Sequence, residues 1–332
     1  MKIKDHIDRI SPSKFIISAL LAALLIRIGI FLVIGNFEDP EMYEHGAIAR
    51  NLHQHGMFTM HWPYPSLSYD RIAEYQEPPP YEGAWIPPLN PYIIYIFFEI
   101  FGDNAAGYFA LMLLNAILGA LAVIPTYRIA DLLAGKKAAF ASTVLAVFFL
   151  PAGYGVITFS GSQLYHFLAL MNIYFAIKFI YEPKIRFIIC CAIFAGFQTL
   201  TRSEYLALSF VIIGVSVFVS WKRNSNFSLI KAVSFAYIIF IMIVSPWIIR
   251  NTILFDKFVP IVSHPWHEVW RGNNYQASGG ASDKEGEDVW LNYKFSPHII
   301  PKLDRIPLDQ HFELAADSVF RSEAEEIGRA HV

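Results

Sequence analysis

Four carboxylates, Glu38, Asp39, Glu41 and Glu44, crowd the front of the stretch FEDPEMYEHGAIARNL at residues 37–52. A carboxylate held about 2.6–3.2 Å from a hydroxyl can take its proton while that oxygen attacks an electrophilic carbon. The same residues also suit a plainer role. In Asp39-Pro40-Glu41 an Asp side chain can accept from free backbone N–H groups, and a proline fits the first helical position at no cost in hydrogen bonds. Spacing therefore leaves Asp39 open to two readings, helix cap and general base, and puts Glu38, Glu41 and Glu44 on a solvated face.

Two arginines stand at the ends of apolar runs: Arg202 in LTRSEY and Arg250 in PWIIRN. A guanidinium fork matches the geometry of a phosphate, although each residue also reads as a membrane-surface anchor, and Arg202 as an ion pair with Glu204. Arg27 lies within the first apolar run, where an ionisable group is a functional candidate by default. His45, His53, His55 and His61 are numerous, but the His53–His55 pair would not share a helix face, so no metal-ligand set is read from them. Cys190 and Cys191 are neighbours, too close for ordinary disulfide geometry.

The elements that position these groups are membrane helices. Of the 332 residues, 55% are hydrophobic and 16% charged, against about 25% charged in soluble domains. The net charge of -2 gives no reason to expect a nucleic-acid partner. A first apolar run at about 15–34 is long enough to cross a bilayer and follows Lys2, Lys4, Arg9 and Lys14, which places residues 1–14 in the cytoplasm. Further runs at 105–127, 138–158, 161–181, 187–201, 205–221 and 230–249 bring the count to seven. Their basic connectors (Arg128/Lys136/Lys137, Lys184/Arg186, Lys222/Arg223/Lys231) alternate correctly only if 88–102, short and carrying Pro91 and Glu99, lies on the outer surface. The chain is thus expected to be an all-α polytopic membrane protein. A transmembrane domain at 15–249 contains a large outer loop, 36–104, of short interfacial helices, and a second outer segment follows at 250–332. The last residues, EIGRAHV (326–332), can be encoded by a common sequencing adapter, so the natural chain is expected to continue.

Asp39, Tyr43 and Ala47 followed by NLHQHGMF resemble the first outer loop of GT-C membrane glycosyltransferases of the protein-O-mannosyltransferase and aminoarabinose-transferase type. AWIPPLNPYIIYIFFEIFG, LTRSEYL, SPWIIRN and FVPIVSHPWHEVWRGNN followed by SGG are similar in the same order, spread over residues 39–280. The resemblance implies an enzyme that moves a sugar, with inversion, from a polyprenyl-phosphate donor to a lipid, glycan or protein acceptor. It implies a bacterial-type inner membrane with the active site on the outer face, and no cofactor. Asp39 matches the family's catalytic acid. Tyr43, Glu44, Trp85, Asn273 and Asn274 then become candidates for contacts to the sugar, and Arg202, Glu204, Arg250 and Asn251 for the neighbourhood of the phosphate. One departure is visible: aminoarabinose-transferase relatives carry a Lys just before the proline of the third loop helix, and this chain has Trp85-Ile86 before Pro87-Pro88. A transporter or flippase of lipid-linked sugars is the alternative, but it should gather ionisable groups at the membrane midplane, and this chain gathers them in outer loops.

Overall fold

The computed structural model describes residues 10–40, 42–60, 78–223, 228–273, 299–303 and 305–330. No strand occurs among them. The chain divides into two compact units, Met1–Gly46 with Pro87–Pro246, and Ala47–Ile86 with Trp247–Val332.

The first unit is built on α1 (Pro12–Ile34), α3 (Leu89–Phe101), α4 (Ala105–Leu121), α5 (Val123–Val147), α6 (Leu150–Tyr154), α7 (Ser162–Tyr181), α8 (Ile185–Thr199) and α9 (Tyr205–Arg223). α2 (Tyr43–His55) and α10 (Leu229–Phe255) each run across a boundary between units. Among the described residues five stretches are long and apolar enough to cross a membrane: α1, Ala105–Val147, α7, α9 and Ile230–Phe255; α3 and α8 are shorter apolar helices. The chain is a multi-pass membrane protein. The spans turn Ile17, Leu25, Val33, Val211, Val215 and Phe218 outward, as lipid-facing helices do, while α1 buries Ile16, Ala19, Ala23, Arg27 and Phe31 at helical spacing. Small alanines on that inner face let neighbouring backbones approach.

Ala105–Val147 is not one rod. Gly135 breaks it with φ 78° and ψ 177°, a conformation that side-chain-bearing residues scarcely adopt. Val147 then packs with Ala120 and Val123, and Phe140 with Tyr127, so the chain doubles back at the Gly135-Lys136-Lys137 connector, where the sequence places a loop. The run at 138–158 is, however, not continuous: helix stops at Val147 and restarts for one turn at α6. Counting the hairpin as two crossings, and α8 as a short crossing packed between α7 and α9, gives the expected seven.

Local chemistry sets the ends. α3 stops at Gly102 (φ 88°), and α4 starts at Asn104, whose side chain accepts from the Ala106 N–H. Asn90 of α3 donates to the Phe159 carbonyl, and the Leu89 N–H donates to Leu200 O at 2.9 Å, which fastens α3 to the segments preceding α7 and following α8.

The second unit contains α11 (Pro265–Asn273), α12 (Ile300–Leu303) and α13 (Phe312–Ala330). Its core packs Trp270, Ile299, Leu303, Ala316 and Phe320. α13 supplies Ala316 and Phe320 to this core.

Candidate functional site

The loop after α1 is shaped by Asn36. Its side-chain oxygen accepts from the N–H groups of Glu38 and Asp39, and its amide donates to Asp39 O. This is an Asx turn, and it corrects the cap reading of Asp39. α2 begins at Tyr43, and the Met42 carbonyl accepts from the Gly46 N–H, so the helix starts four residues beyond Asp39. The Asp39 carboxylate is exposed and makes no side-chain hydrogen bond or ion pair among the described residues. The apolar residues Met42, Ile48, Ala49 and Leu52 recur at helical spacing along α2 and its entry, and all four are buried, while Glu44 in the first turn is exposed.

His45, two residues beyond Tyr43, has its Nδ1 shut off from solvent without a hydrogen-bond partner among the described residues. Burial holds its imidazole down at about 4, and the charge of Arg202 lowers it further. Arg202 therefore lies near the start of α2. It occupies the turn between α8 and α9, with Tyr165 beneath its guanidinium at 5.3 Å. The Tyr165 hydroxyl is 3.1 Å from that of Tyr205. The sequence pairs Arg202 with Glu204, and the two do approach to 3.7 Å, but their side chains are 58% and 60% exposed. Such a pair contributes little and is easily exchanged. Asp39, Tyr43, Glu44, Arg202 and Glu204 all belong to the first unit.

The remaining candidates belong to the second unit and are tied into it. Arg250 donates to Glu82 Oε2 at 2.6 Å, to Gly83 O at 2.5 Å and to Asn251 Oδ1 at 3.1 Å, and lies over the Trp247 ring. Asn251 is wholly buried and donates to Ile261 O. Trp85 is buried, with its ring stacked on His264 at 3.9 Å between centroids. Asn273 is exposed at the end of α11 and donates to Val269 O. Asn274 and the SGG at 278–280 lie outside the described residues.

Sequence reasoning missed a polar centre in this unit. Glu313 is fully buried; one carboxylate oxygen accepts from Ala84 N at 2.7 Å and Ser263 Oγ at 2.5 Å, while the other has no partner among the described residues. Burial pushes its pKa up to about 7 against the pull of those bonds. Gly83 is required beside it, because a Cβ there would sit 2.0 Å from Glu313 Oε1. Asp317, one turn on, is raised by burial to about 6 and accepts from the Trp266 and His267 N–H groups, capping α11 from another helix. His264 is held at about 3 by burial, and Glu268 at about 2 by its hydrogen bond to His267. Some 230 residues separate Ala84 from Glu313, a pairing that no local pattern announces. The spacing HPWHE does carry a signal, since it sets His267 and Glu268 three and four residues after His264, which stands just before α11.

Residues 86–249 match the model of the dolichyl-phosphate-mannose-protein mannosyltransferase family. The chain resembles that family across the membrane helices that follow α1, from α3 to α10. The match supports a glycosyltransferase of the GT-C type, and it covers α3 through most of α10, including Arg202 and Glu204. Asp39 and the second polar centre fall outside it. No curated protein and no solved structure matches the chain.

Proposed function

We propose that the protein transfers a sugar from a polyprenyl-phosphate donor to a lipid, glycan or protein acceptor at the outer face of a bacterial inner membrane, with inversion and with Asp39 as the general base. The acceptor O–H attacks the anomeric carbon, its proton passes to the Asp39 carboxylate, and the bond from that carbon to the phosphate oxygen breaks. The electron pair leaves with the phosphate, which needs cationic stabilisation. The observation that carries the reading is that one unit holds both an exposed carboxylate, Asp39, just ahead of α2, and an exposed arginine, Arg202, whose charge reaches His45 at the start of α2. Arg250, engaged by Glu82 and Gly83, is less suited to the phosphate, and no lysine precedes Pro87. Arg202 is then the arginine of the two left to meet it. Tyr43 and Glu44, in the first turn of α2, are the candidates for sugar hydroxyls.

The test is sugar transfer from polyprenyl-phosphate sugars by the full-length protein and its Asp39→Asn form. A general base contributes typically about 10²–10⁴-fold, so the variant should lose that much of kcat and keep its melting temperature. Equal rates would remove Asp39 from the mechanism, and movement of the lipid with no glycosidic bond made would instead support a flippase.

A further inference from the structure

We propose that His264, His267 and Glu268 bind one divalent transition metal ion of the zinc type. The three residues stand at i, i+3 and i+4, with His264 immediately before α11 and His267 and Glu268 in its first turn. Their donor atoms all lie within 4.8 Å of one another: Glu268 Oε1 is 3.3 Å from His267 Nδ1 and 4.0 Å from His264 Nε2. A tetrahedral ion with bonds of about 2.0–2.2 Å needs donors roughly 3.4 Å apart. One pair is already at that spacing, and all three donors lie within 4.8 Å of one another. Two imidazoles with one carboxylate suit zinc and its borderline neighbours, whereas magnesium and calcium prefer oxygen throughout. A set of two histidines and a glutamate leaves a fourth position open for water.

The surroundings favour binding over a mere ion pair. Both histidines are buried, so their imidazoles are held in an orientation rather than solvated. His264 is clamped by the stacked Trp85 ring, and its Nδ1 is buried without a hydrogen-bond partner among the described residues. The Asp317 carboxylate fixes the backbone of the turn that carries His267. Such outer contacts orient metal ligands. Arg271 is the competitor: its NH1 lies 3.6 Å from the same Glu268 oxygen, and a bound dication displaces that contact. Removing the arginine charge should therefore tighten metal binding, which an ion pair alone would not predict. The site shares no residue with Asp39 or Arg202 and stands whether or not sugar transfer is confirmed.

The full chain, purified in detergent without a histidine tag and stripped with chelator, is titrated with Zn²⁺ by calorimetry and with Co²⁺ by visible absorption. The expected result is one equivalent bound, with the strong absorption of four-coordinate Co²⁺. Affinity should fall at least about tenfold in His264→Gln and in Glu268→Gln, and rise several-fold in Arg271→Gln. Glu268 is exposed enough for its variant to fold, and melting in chelator checks that it does. Absence of saturable binding overturns the site. So does an affinity unchanged in both Glu268→Gln and Arg271→Gln, which would put the ion elsewhere.

Discussion

Arg202–Glu204 and Arg250–Glu82 are two arginine–glutamate pairs with opposite characters. The first is 3.7 Å apart and more than half exposed at both ends, with a tyrosine ring beneath the guanidinium. In the second, at 2.6 Å, the guanidinium also reaches a backbone carbonyl and an asparagine and lies over an indole. Both arginines look alike in sequence, each close to the end of an apolar run. What separates them is the partner: Glu204 is two residues away and solvated, whereas Glu82 comes from a distant segment that docks with Gly83 and Ala84 in place. A cation whose hydrogen bonds are already filled holds a fold together, and one left half-solvated is ready for a ligand.

This contrast can be broken by substitution. On the proposed reading, Arg202→Gln should cost the largest effect, about 10- to 150-fold in kcat/KM for the lipid donor, the worth of a hydrogen bond to a charged group. Its melting temperature should not move; a loss confined to melting would reverse the assignment. Arg250→Gln should do the opposite, lowering thermal stability by about 1–3 kcal/mol, less than a fully buried pair because both partners keep some solvent. If Arg250→Gln instead raised the donor KM and left stability intact, the two arginines would exchange roles.

A smaller effect should follow pH. The Glu313 carboxyl sits near 7 in the folded chain, above the ordinary value of 4.5, so the folded state holds a proton that the unfolded state releases. Its contribution is favourable at low pH and is lost as pH rises from about 4.5 through 7. Glu313→Gln removes that loss, so its melting temperature should gain on the wild type across this window and run parallel to it above. A difference independent of pH would mean that Glu313 is already ionised. The least effect is expected of Glu204→Gln, within about 0.5 kcal/mol in stability, as for exposed pairs generally.

Much of this was legible beforehand, because membrane spans announce themselves by length and apolarity, and α2 by the period that buries Met42, Ile48, Ala49 and Leu52. The Asp39 cap was not: Asp-Pro has the right composition for a helix start, but Asn36 captured the loop N–H groups first and the helix began later. Nor was the span at 138–158 legible as broken, since apolar residues continue through Phe148 and Phe149 whether or not the backbone stays helical. Glu313, Ser263 and Ala84 are brought together only by tertiary folding, which leaves no period to read.

Gly135 bears on more than the shape of α5. With a backbone angle closed to side-chain-bearing residues and no atom within 4 Å of a would-be Cβ, it is held by torsion rather than by crowding, so even alanine would strain it. Were the helix to run straight through this residue, the number of crossings would change by one. Every later loop would then exchange sides of the membrane, and Arg202 would face the opposite compartment from Asp39. On the proposed topology the parity of the crossings thus turns on one residue whose missing Cβ would meet no neighbouring atom.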